Sequence, residues 1–308
     1  MDPLARSLRN GLVSDLLGRD SLKRESGEWI EIALSLPTSY IVPVRGENCL
    51  FYRKPHLRAA LFPANRIAEK IVPEALIYLG HHRERDFFAS SVPDSVEGDW
   101  WATQDEHLSF ENLWHAGSRI DQFEASLLAY ARGMCHWHER SKFCGICGNP
   151  TRSDRAGHLR ECTDRHCGAK QFPRTDPAVI MLVHDGDHCL LGNKHGWPEN
   201  RFSTIAGFVE PGETIEQAVV REVKEETGVD AGCLEYHSSQ PWPFPGSVML
   251  GFHAQATSTG IALTDGELRD ARWFSRMEIE AAKAKTGWLR LPSRISIARR
   301  LIEDWCDS

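Results

Sequence analysis

The sequence predicts an α+β protein, and three observations along its 308 residues support this class. Short alternating or continuously apolar runs, typical of strands, are interspersed with segments of helical spacing. Four cysteines stand in two close pairs near the middle of the chain, and a capped, acidic helix follows them. The sequence therefore predicts a small α+β N-terminal domain, a cysteine ribbon and a C-terminal domain of strands and helices.

The bulk composition is that of an ordinary globular protein. Hydrophobic residues make up 41% of the chain and charged residues 26%. The formal net charge of −7 provides no broad basic surface, which argues against sequence-independent nucleic-acid binding. No apolar run approaches the roughly 18 to 20 residues of a membrane span. The polar stretch up to Asp20 does not resemble a secretory or transit peptide, so we expect a reducing, cytoplasmic compartment.

The first third of the chain carries strand patterns and one helical pattern. Residues 29–36 alternate between apolar and polar side chains, which predicts a half-buried strand. Between residues 121 and 139 the apolar positions follow helical spacing. His136 and His138 lie at the end of this helix, and we interpret them as surface groups near the helix dipole rather than ligands. Further short strands are predicted at residues 59–62 and 75–80.

The cysteine pattern predicts a metal site. Cys144 and Cys147 form one close pair, and Cys162 and Cys167 form the second. Four thiolates in two pairs fit a closed tetrahedral zinc site, which is structural because no ligand position is left open. The alternatives are a redox Cys-x-x-Cys pair or incidental cysteines, and each explains only one pair. The second spacing is longer than usual, which leaves His166 as an alternative ligand.

The C-terminal half alternates strand and helix patterns. Residues 178–183 are continuously apolar, as expected of a central strand. Ser275 and Glu278 form a capping-box pattern that opens a short helix, and residues 293–305 are amphipathic. Other predicted strands are residues 188–192, 202–206, 233–237, 247–257 and 271–274.

The most informative stretch runs from Gly207 to Val229 and contains a helix with its caps. Thr214 and Gln217 form a capping box, and Gly228 is placed to end the helix in a left-handed turn. Three glutamates share one face of this helix at i, i+3 and i+4, namely Glu222, Glu225 and Glu226. Carboxylate oxygens are the ligands that hard cations prefer, so a cluster of carboxylates suits Mg²⁺ or Mn²⁺. The alternative is a solvated acidic face with Arg221 and Lys224 as local partners.

This stretch resembles a known signature. Gly207, five residues, Glu213, seven residues and then Arg221-Glu-Val-x-Glu-Glu-x-Gly-Val229 match the Nudix hydrolases at every fixed position. Farther along, Ser239-Gln-Pro-Trp-Pro-Phe-Pro-x-Ser247 resembles the segment that marks the NADH pyrophosphatase family of that superfamily. Alone, this second segment is also consistent with a loop whose rings pack or with an SH3-type ligand. With the cysteine ribbon and these two segments, the chain is similar to the NADH pyrophosphatase family.

The resemblance implies a fold and an activity. It implies a Nudix α/β/α sandwich with a mixed sheet at residues 172–308, a zinc ribbon at 139–171 and a Nudix-like α+β domain at 1–138. The implied reaction is metal-dependent hydrolysis of the pyrophosphate bond of NAD(H), giving (reduced) nicotinamide mononucleotide and AMP. Alternatives are removal of NAD caps from RNA 5′ ends and a non-catalytic nucleotide-binding module.

The resemblance also assigns residues, one position at a time. Glu225 or Glu267 is implied as the base, and Arg221 is expected to brace Glu213. Phe172 stands where many relatives have tyrosine. Family members are commonly homodimers, so Phe172 or Trp242 is expected to serve the partner subunit. The implied ligands of Mg²⁺ or Mn²⁺ are Glu222, Glu225, Glu226 and Glu267, the zinc ligands are Cys144, Cys147, Cys162 and Cys167, and the substrate contacts are Phe172, Phe208, Trp242, Ser247 and Ala298.

Overall fold

A computed structural model describes residues 2–67, 71–72, 75–93 and 96–308, and the chain forms two compact units. The C-terminal unit comprises residues up to Gly11 together with 176–241 and 247–308. The N-terminal unit comprises residues 12–175 and the short segment 242–246. In the described residues, no helix is both long and apolar enough to cross a membrane.

A mixed sheet forms the centre of the N-terminal unit. Its strands are β1 (Ser39–Arg45), β2 (Asn48–Tyr52), β3 (Arg58–Ala59), β4 (Phe62–Pro63), β5 (Leu76–His82), β6 (Arg85–Ser91) and β7 (Leu108–Asn112). They run in the order β3-β2-β1-β6-β5, with β4 also paired to β1 and β7 to β2. The β1–β6 pair is parallel. The helices of this unit are α2 (Gly27–Ser35), α3 (Ala64–Ile67), α4 (Val96–Thr103), α5 (Leu113–Ala116) and α6 (Gln122–Arg140), with 3₁₀ turns at Lys23–Glu25 and Arg155–Gly157.

The predicted strand at residues 29–36 is wrong, because this segment belongs to helix α2. The Ser26 hydroxyl accepts a hydrogen bond from the Trp29 amide at 3.2 Å and so caps the helix. Ile32, at 52% exposure, and Leu36 lie on the solvent side. The apolar residues that pack into the core are one and four positions apart, as on one helix face, and they are Trp29, Ile30, Ala33 and Leu34. The N-terminal cap and this apolar face favour a helix more strongly than the alternating pattern favours a strand.

The cysteine ribbon belongs to the same unit and packs on the end of α6. Its strands are β8 (Thr151–Asp154), β9 (Leu159–Cys162) and β10 (Lys170–Gln171). His138 is buried here, so its interpretation as a surface group is wrong. Its Nε2 donates to the Gly157 carbonyl at 2.7 Å, and its Nδ1 accepts from Arg160 at 3.1 Å. Burial lowers the pKa of His138 to about 4, so the imidazole is a neutral connector between helix and ribbon.

The C-terminal unit is the predicted α/β/α sandwich. The strands are β11 (Asp176–His184), β12 (His188–Lys194), β13 (Ile205–Phe208), β14 (Ala231–Trp242), β15 (Ser247–Ala256) and β16 (Leu268–Ser275). The helices are α1 (Pro3–Ser7), α7 (Ile215–Thr227), α8 (Arg276–Lys283) and α9 (Ile297–Cys306). The strands run in the order β14-β15-β11-β12-β16, with β13 paired to β11 and β11 parallel to β15. Helices α7 and α9 both pack against β11, and α9 also packs against β15.

Gln240 is a buried polar link in this unit. The side chain is 0% exposed, and its amide nitrogen donates to the backbone carbonyls of Gly11 and Ile295. Its amide oxygen accepts from the Ile297 amide, the first residue of α9, at 2.8 Å. A single glutamine therefore connects β14, the N-terminal segment and the start of α9.

We expect Gln240→Leu to lower the free energy of unfolding by about 3 kcal/mol. The substitution removes three hydrogen bonds and leaves buried backbone groups without partners. Urea unfolding followed by circular dichroism measures the effect. Gln255→Leu, at an exposed position of β15, is the control and should change stability by no more than about 0.5 kcal/mol. Equal stability of the two variants would contradict the assigned role.

Candidate active site

Helix α7 is built by the capping signals that its sequence contains. The Thr214 hydroxyl accepts from the Gln217 amide at 3.2 Å, and the Gln217 side chain accepts from the Thr214 amide at 2.9 Å. Gly228 ends the helix in the left-handed conformation, with φ of 72°. Ala218, Val219 and Val223 are buried in the core beside the sheet. Packing of this apolar stripe fixes the rotation of the helix and so the direction of its glutamates.

Arg221 is the charged hub of the site. It makes a two-pronged ion pair with Glu213 at 2.8 and 2.9 Å, as the sequence predicted, and donates to the Phe208 carbonyl at 2.9 Å. This bonding holds the pKa of Glu213 well below normal, at about 2. Its Nη1 also reaches Glu222 at 2.9 Å and Glu225 at 3.0 Å. One guanidinium thus joins the loop before the helix to two of the three predicted ligands.

Glu226 is the unusual carboxylate of the site. It is 1% exposed, and neither carboxylate oxygen has a hydrogen-bond partner among the described residues. The Lys194 ammonium lies 3.9 Å from Oε1. The pKa of Glu226 is raised to about 7, chiefly by burial; Lys194 lowers it, and the nearby Glu267 and Glu222 raise it. A buried anion without hydrogen bonds is unfavourable unless a cation compensates it.

Glu222 lies directly against the backbone of Gly207. A Cβ atom added at Gly207 would come within 1.9 Å of the Glu222 carboxyl carbon. Only a residue without a side chain allows this close approach. Burial also raises the pKa of Glu222. The glycine at the start of the signature therefore positions the first of the three glutamates.

The remaining predicted site residues of the C-terminal unit differ in exposure. Phe208 ends β13 with 60% of its surface exposed. Glu267 is also exposed, and its carboxylate lies 3.7 Å from Lys194. Ser247 is 8% exposed and pairs with Asp176 at the start of β11, and Ala298 is 2% exposed in the first turn of α9. Lys194 was not predicted, because a lone lysine at a strand end carries no sequence signal.

The four ribbon cysteines come together as one group. Their sulfur atoms all lie within 4.8 Å of one another. The Cys144–Cys167 and Cys147–Cys162 separations are 3.7 and 3.4 Å. A zinc ion with Zn–S bonds of about 2.3 Å separates its tetrahedral ligands by about 3.8 Å, so the donor set fits. The alternative ligand His166 is not part of this group.

Comparison with known proteins covers nearly the whole chain. The NUDIX domain family matches residues 174–292, and the "NADH pyrophosphatase-like rudimentary NUDIX domain" matches residues 38–137. NAD-capped RNA hydrolase NudC from Mycobacterium tuberculosis is 43% identical in an alignment of 318 positions that covers 97% of this chain and 96% of that protein. NAD-capped RNA hydrolase NUDT12 from Homo sapiens is 34% identical in an alignment of 337 positions that covers 96% of this chain and 73% of that protein.

The chain belongs to the NADH pyrophosphatase family of the Nudix hydrolases. The match extends through both family domains and the ribbon between them. Nudix hydrolases generally use divalent metal ions, and the oxygens of Glu226 that lack partners fit such an ion. The carboxylates of Glu222, Glu225 and Glu226 are nonetheless not gathered into one compact group in the described structure. Arg221 contacts Glu222 and Glu225, whereas the buried Glu226 lies beside Lys194.

Residues 242–246 of the proline-aromatic segment belong to the N-terminal unit, whereas residues 239–241 and Ser247 belong to the C-terminal unit. Trp242 and Phe244 contact each other and also Trp114 edge to face, with ring centroids 5.0 to 5.4 Å apart. Arg132 lies over the Phe244 ring at 4.7 Å. Phe172, in the same unit, is 55% exposed. The two rings therefore pack against Trp114, which was missed because its α5 segment carries no motif.

We expect Gly207→Ala to lower Mn²⁺ affinity by at least about 10-fold, because the new methyl group displaces the Glu222 carboxylate. Isothermal titration of the purified Nudix protein with Mn²⁺ measures this. Gly260→Ala is the matched control, since an added Cβ at Gly260 meets no atom within 4 Å. Wild-type affinity in Gly207→Ala would contradict the positioning role of this glycine.

Proposed function

We propose that this protein hydrolyses the pyrophosphate bond of NAD(H). Water attacks one phosphorus atom, the P–O bond to the bridging oxygen breaks, and the water proton passes to a base. With NADH the products are reduced nicotinamide mononucleotide and AMP. The observation that carries this proposal is the match over 96–97% of the chain to NAD-capped RNA hydrolases, with every fixed position of the Nudix signature retained.

Glu222, Glu225, Glu226 and Glu267 are proposed to hold Mg²⁺ or Mn²⁺. When bound, such ions neutralise charge on phosphate oxygens and activate water. Glu226 supplies the site with a desolvated carboxylate close to Lys194. Glu225 or Glu267 is proposed as the base, and both are exposed enough to reach water. Arg221 holds the loop at Glu213 and Phe208, which fixes the wall of the site.

The nicotinamide end is proposed to bind aromatic side chains. Phe208 offers an exposed ring beside the metal-binding helix. Ser247 and Ala298 are proposed as smaller substrate contacts, without assignment to one end of the dinucleotide. Trp242 and Phe172 are proposed as further ring contacts. Trp242 is kept in place by Trp114 and Phe244, which reduces the entropy lost on stacking. We further propose a cytoplasmic homodimer in which Phe172 or Trp242 serves the partner subunit.

A second candidate function is removal of NAD caps from RNA 5′ ends. The names of the human and mycobacterial relatives favour it. The same pyrophosphate bond is broken, so the groups around Glu226 serve both reactions. Rates on NADH and on NAD-capped RNA, measured with the same enzyme preparation, separate the two functions.

We propose that Cys144, Cys147, Cys162 and Cys167 bind a structural Zn²⁺. Asn149 supports this set, because its side-chain amide donates to Cys147 Sγ at 3.5 Å and to Asp164 at 3.1 Å. The four-sulfur group leaves no ligand position for substrate. Zinc then supplies folding energy to a ribbon of three short strands.

We expect Glu226→Gln to lower kcat/KM for NADH with Mn²⁺ by about 10³-fold, because several kcal/mol of transition-state stabilisation are lost. Product analysis by chromatography measures the rate. Glu216→Gln, an exposed position on the same helix, is the matched control and should retain activity. Nucleotide binding without metal-dependent turnover in the wild type would instead support a non-catalytic module.

We expect Cys162→Ser to lose bound zinc and to lower the thermal stability of the protein. The substitution removes one of the four proposed thiolate ligands, and the bound zinc is expected to supply folding energy to the ribbon. Elemental analysis and thermal unfolding measure the two effects. Cys233→Ser, at an exposed cysteine outside the group, is the control. Full zinc content in Cys162→Ser would refute the ligand assignment.

A further inference from the structure

An arginine-lined cavity of about 300 Å³ lies at the start of α9 in the C-terminal unit. Glu303 is the acidic residue among the described residues that line it, and the uncharged ones are Asn10, Gly11 and Ser296. The basic lining residues are Arg9, Arg294, Arg299 and Arg300. Asp304 pairs with Arg9 and Arg300 beside the cavity, so four arginines stand against two carboxylates, and the local charge is still positive in a protein whose formal net charge is −7.

Ion pairs with two carboxylates hold three of these arginines. Arg299 donates through Nε to Glu303 at 2.7 Å, and Arg300 lies 3.6 Å from the same carboxylate. Arg9 is paired with Asp304 at 3.1 Å, and the Nη2 of Arg300 donates to the Arg9 carbonyl at 3.2 Å. A guanidinium has five N–H donors, so Arg299 can keep its pair with Glu303 and still donate to a phosphate oxygen.

Arg294 contributes a further positive charge to the cavity lining. Its side chain is exposed, and no described residue forms an ion pair or hydrogen bond with its guanidinium. Planar guanidinium groups bind phosphate oxygens in pairs, which makes Arg294 and Arg299 suitable for an external phosphate.

The cavity is adjacent to a proposed substrate contact. The Ala298 amide donates to the Ser296 hydroxyl at 3.2 Å, so the first turn of α9 contributes to both places. Gln240 bonds Gly11, a lining residue, and also the Ile297 amide. The segment from Ser296 to Ala298 therefore lines the cavity and also contains the predicted contact to the dinucleotide.

We propose that this cavity binds phosphodiester groups of the RNA chain that continues from the adenosine of an NAD cap. The inference rests on the proposed function, since it extends the substrate beyond the dinucleotide. Free NADH lacks such a phosphodiester, so the cavity favours capped RNA without altering hydrolysis of the pyrophosphate. The 2′-phosphate of NADPH offers the same chemistry from another source and is tested in parallel.

The test compares Arg294→Gln, the double variant Arg294→Gln/Arg299→Gln and the control Arg290→Gln. Arg290 is exposed and does not line the cavity. The value of kcat/KM is measured on NADH, NADPH and an NAD-capped RNA oligonucleotide at several salt concentrations. We expect the double variant to lose about 10-fold on capped RNA and to stay within about twofold on NADH and NADPH. Its salt slope on RNA should fall by about 1.4, for two lost phosphate contacts.

A direct binding measurement separates this inference from the proposed hydrolysis. Fluorescence anisotropy reports binding of an uncapped, 5′-phosphorylated RNA decamer to the wild type and the variants, whatever their turnover. Weaker RNA binding by Arg294→Gln, with unchanged thermal unfolding, supports the cavity as an RNA site. Equal RNA binding by the wild type and the double variant overturns it. A loss confined to NADPH, or an equal loss on NADH and capped RNA, also overturns it.

Discussion

Burial of the Glu226 carboxylate is the constraint on which the site depends. The apolar stripe of α7 packs against the sheet, and this packing carries Glu226 inward together with Val223. Within the described part of the chain, both carboxylate oxygens lack hydrogen bonds, at 1% exposure, beside Lys194. Burying such a group costs several kcal/mol unless a cation is close. The fold thus keeps a buried carboxylate that its own side chains satisfy poorly, which supports the proposed metal site.

Arg221 links this position to the loop before the helix. The guanidinium bonds Glu213 and the Phe208 carbonyl and reaches Glu222 and Glu225, so loop and helix move as one piece. The carboxylates of Glu222 and Glu225 are both directed to Arg221. If they hold a metal ion, as proposed, they would exchange this partner for the ion.

The proline-aromatic segment shows how one motif serves two units. Gln240 is buried in the C-terminal unit and ties β14 to α9, whereas Trp242 and Phe244 pack with Trp114 in the N-terminal unit. Trp114 therefore supports the ring of a proposed substrate contact, which gives it a role beyond its own core.

The sequence by itself determined the α+β class, the caps of α7, the cysteine group and the family, because these depend on local spacing. Thr214, Gln217 and Gly228 act within one helix, and the thiolates pair over short loops. Tertiary structure alone decided what depends on partners distant along the chain. Residues 29–36 became a helix through packing, His138 was buried by the ribbon, and Lys194 reached Glu226 from another strand. Arg9 likewise reaches the other arginines of the α9 cavity only through the tertiary fold, in which its carbonyl accepts a hydrogen bond from Arg300.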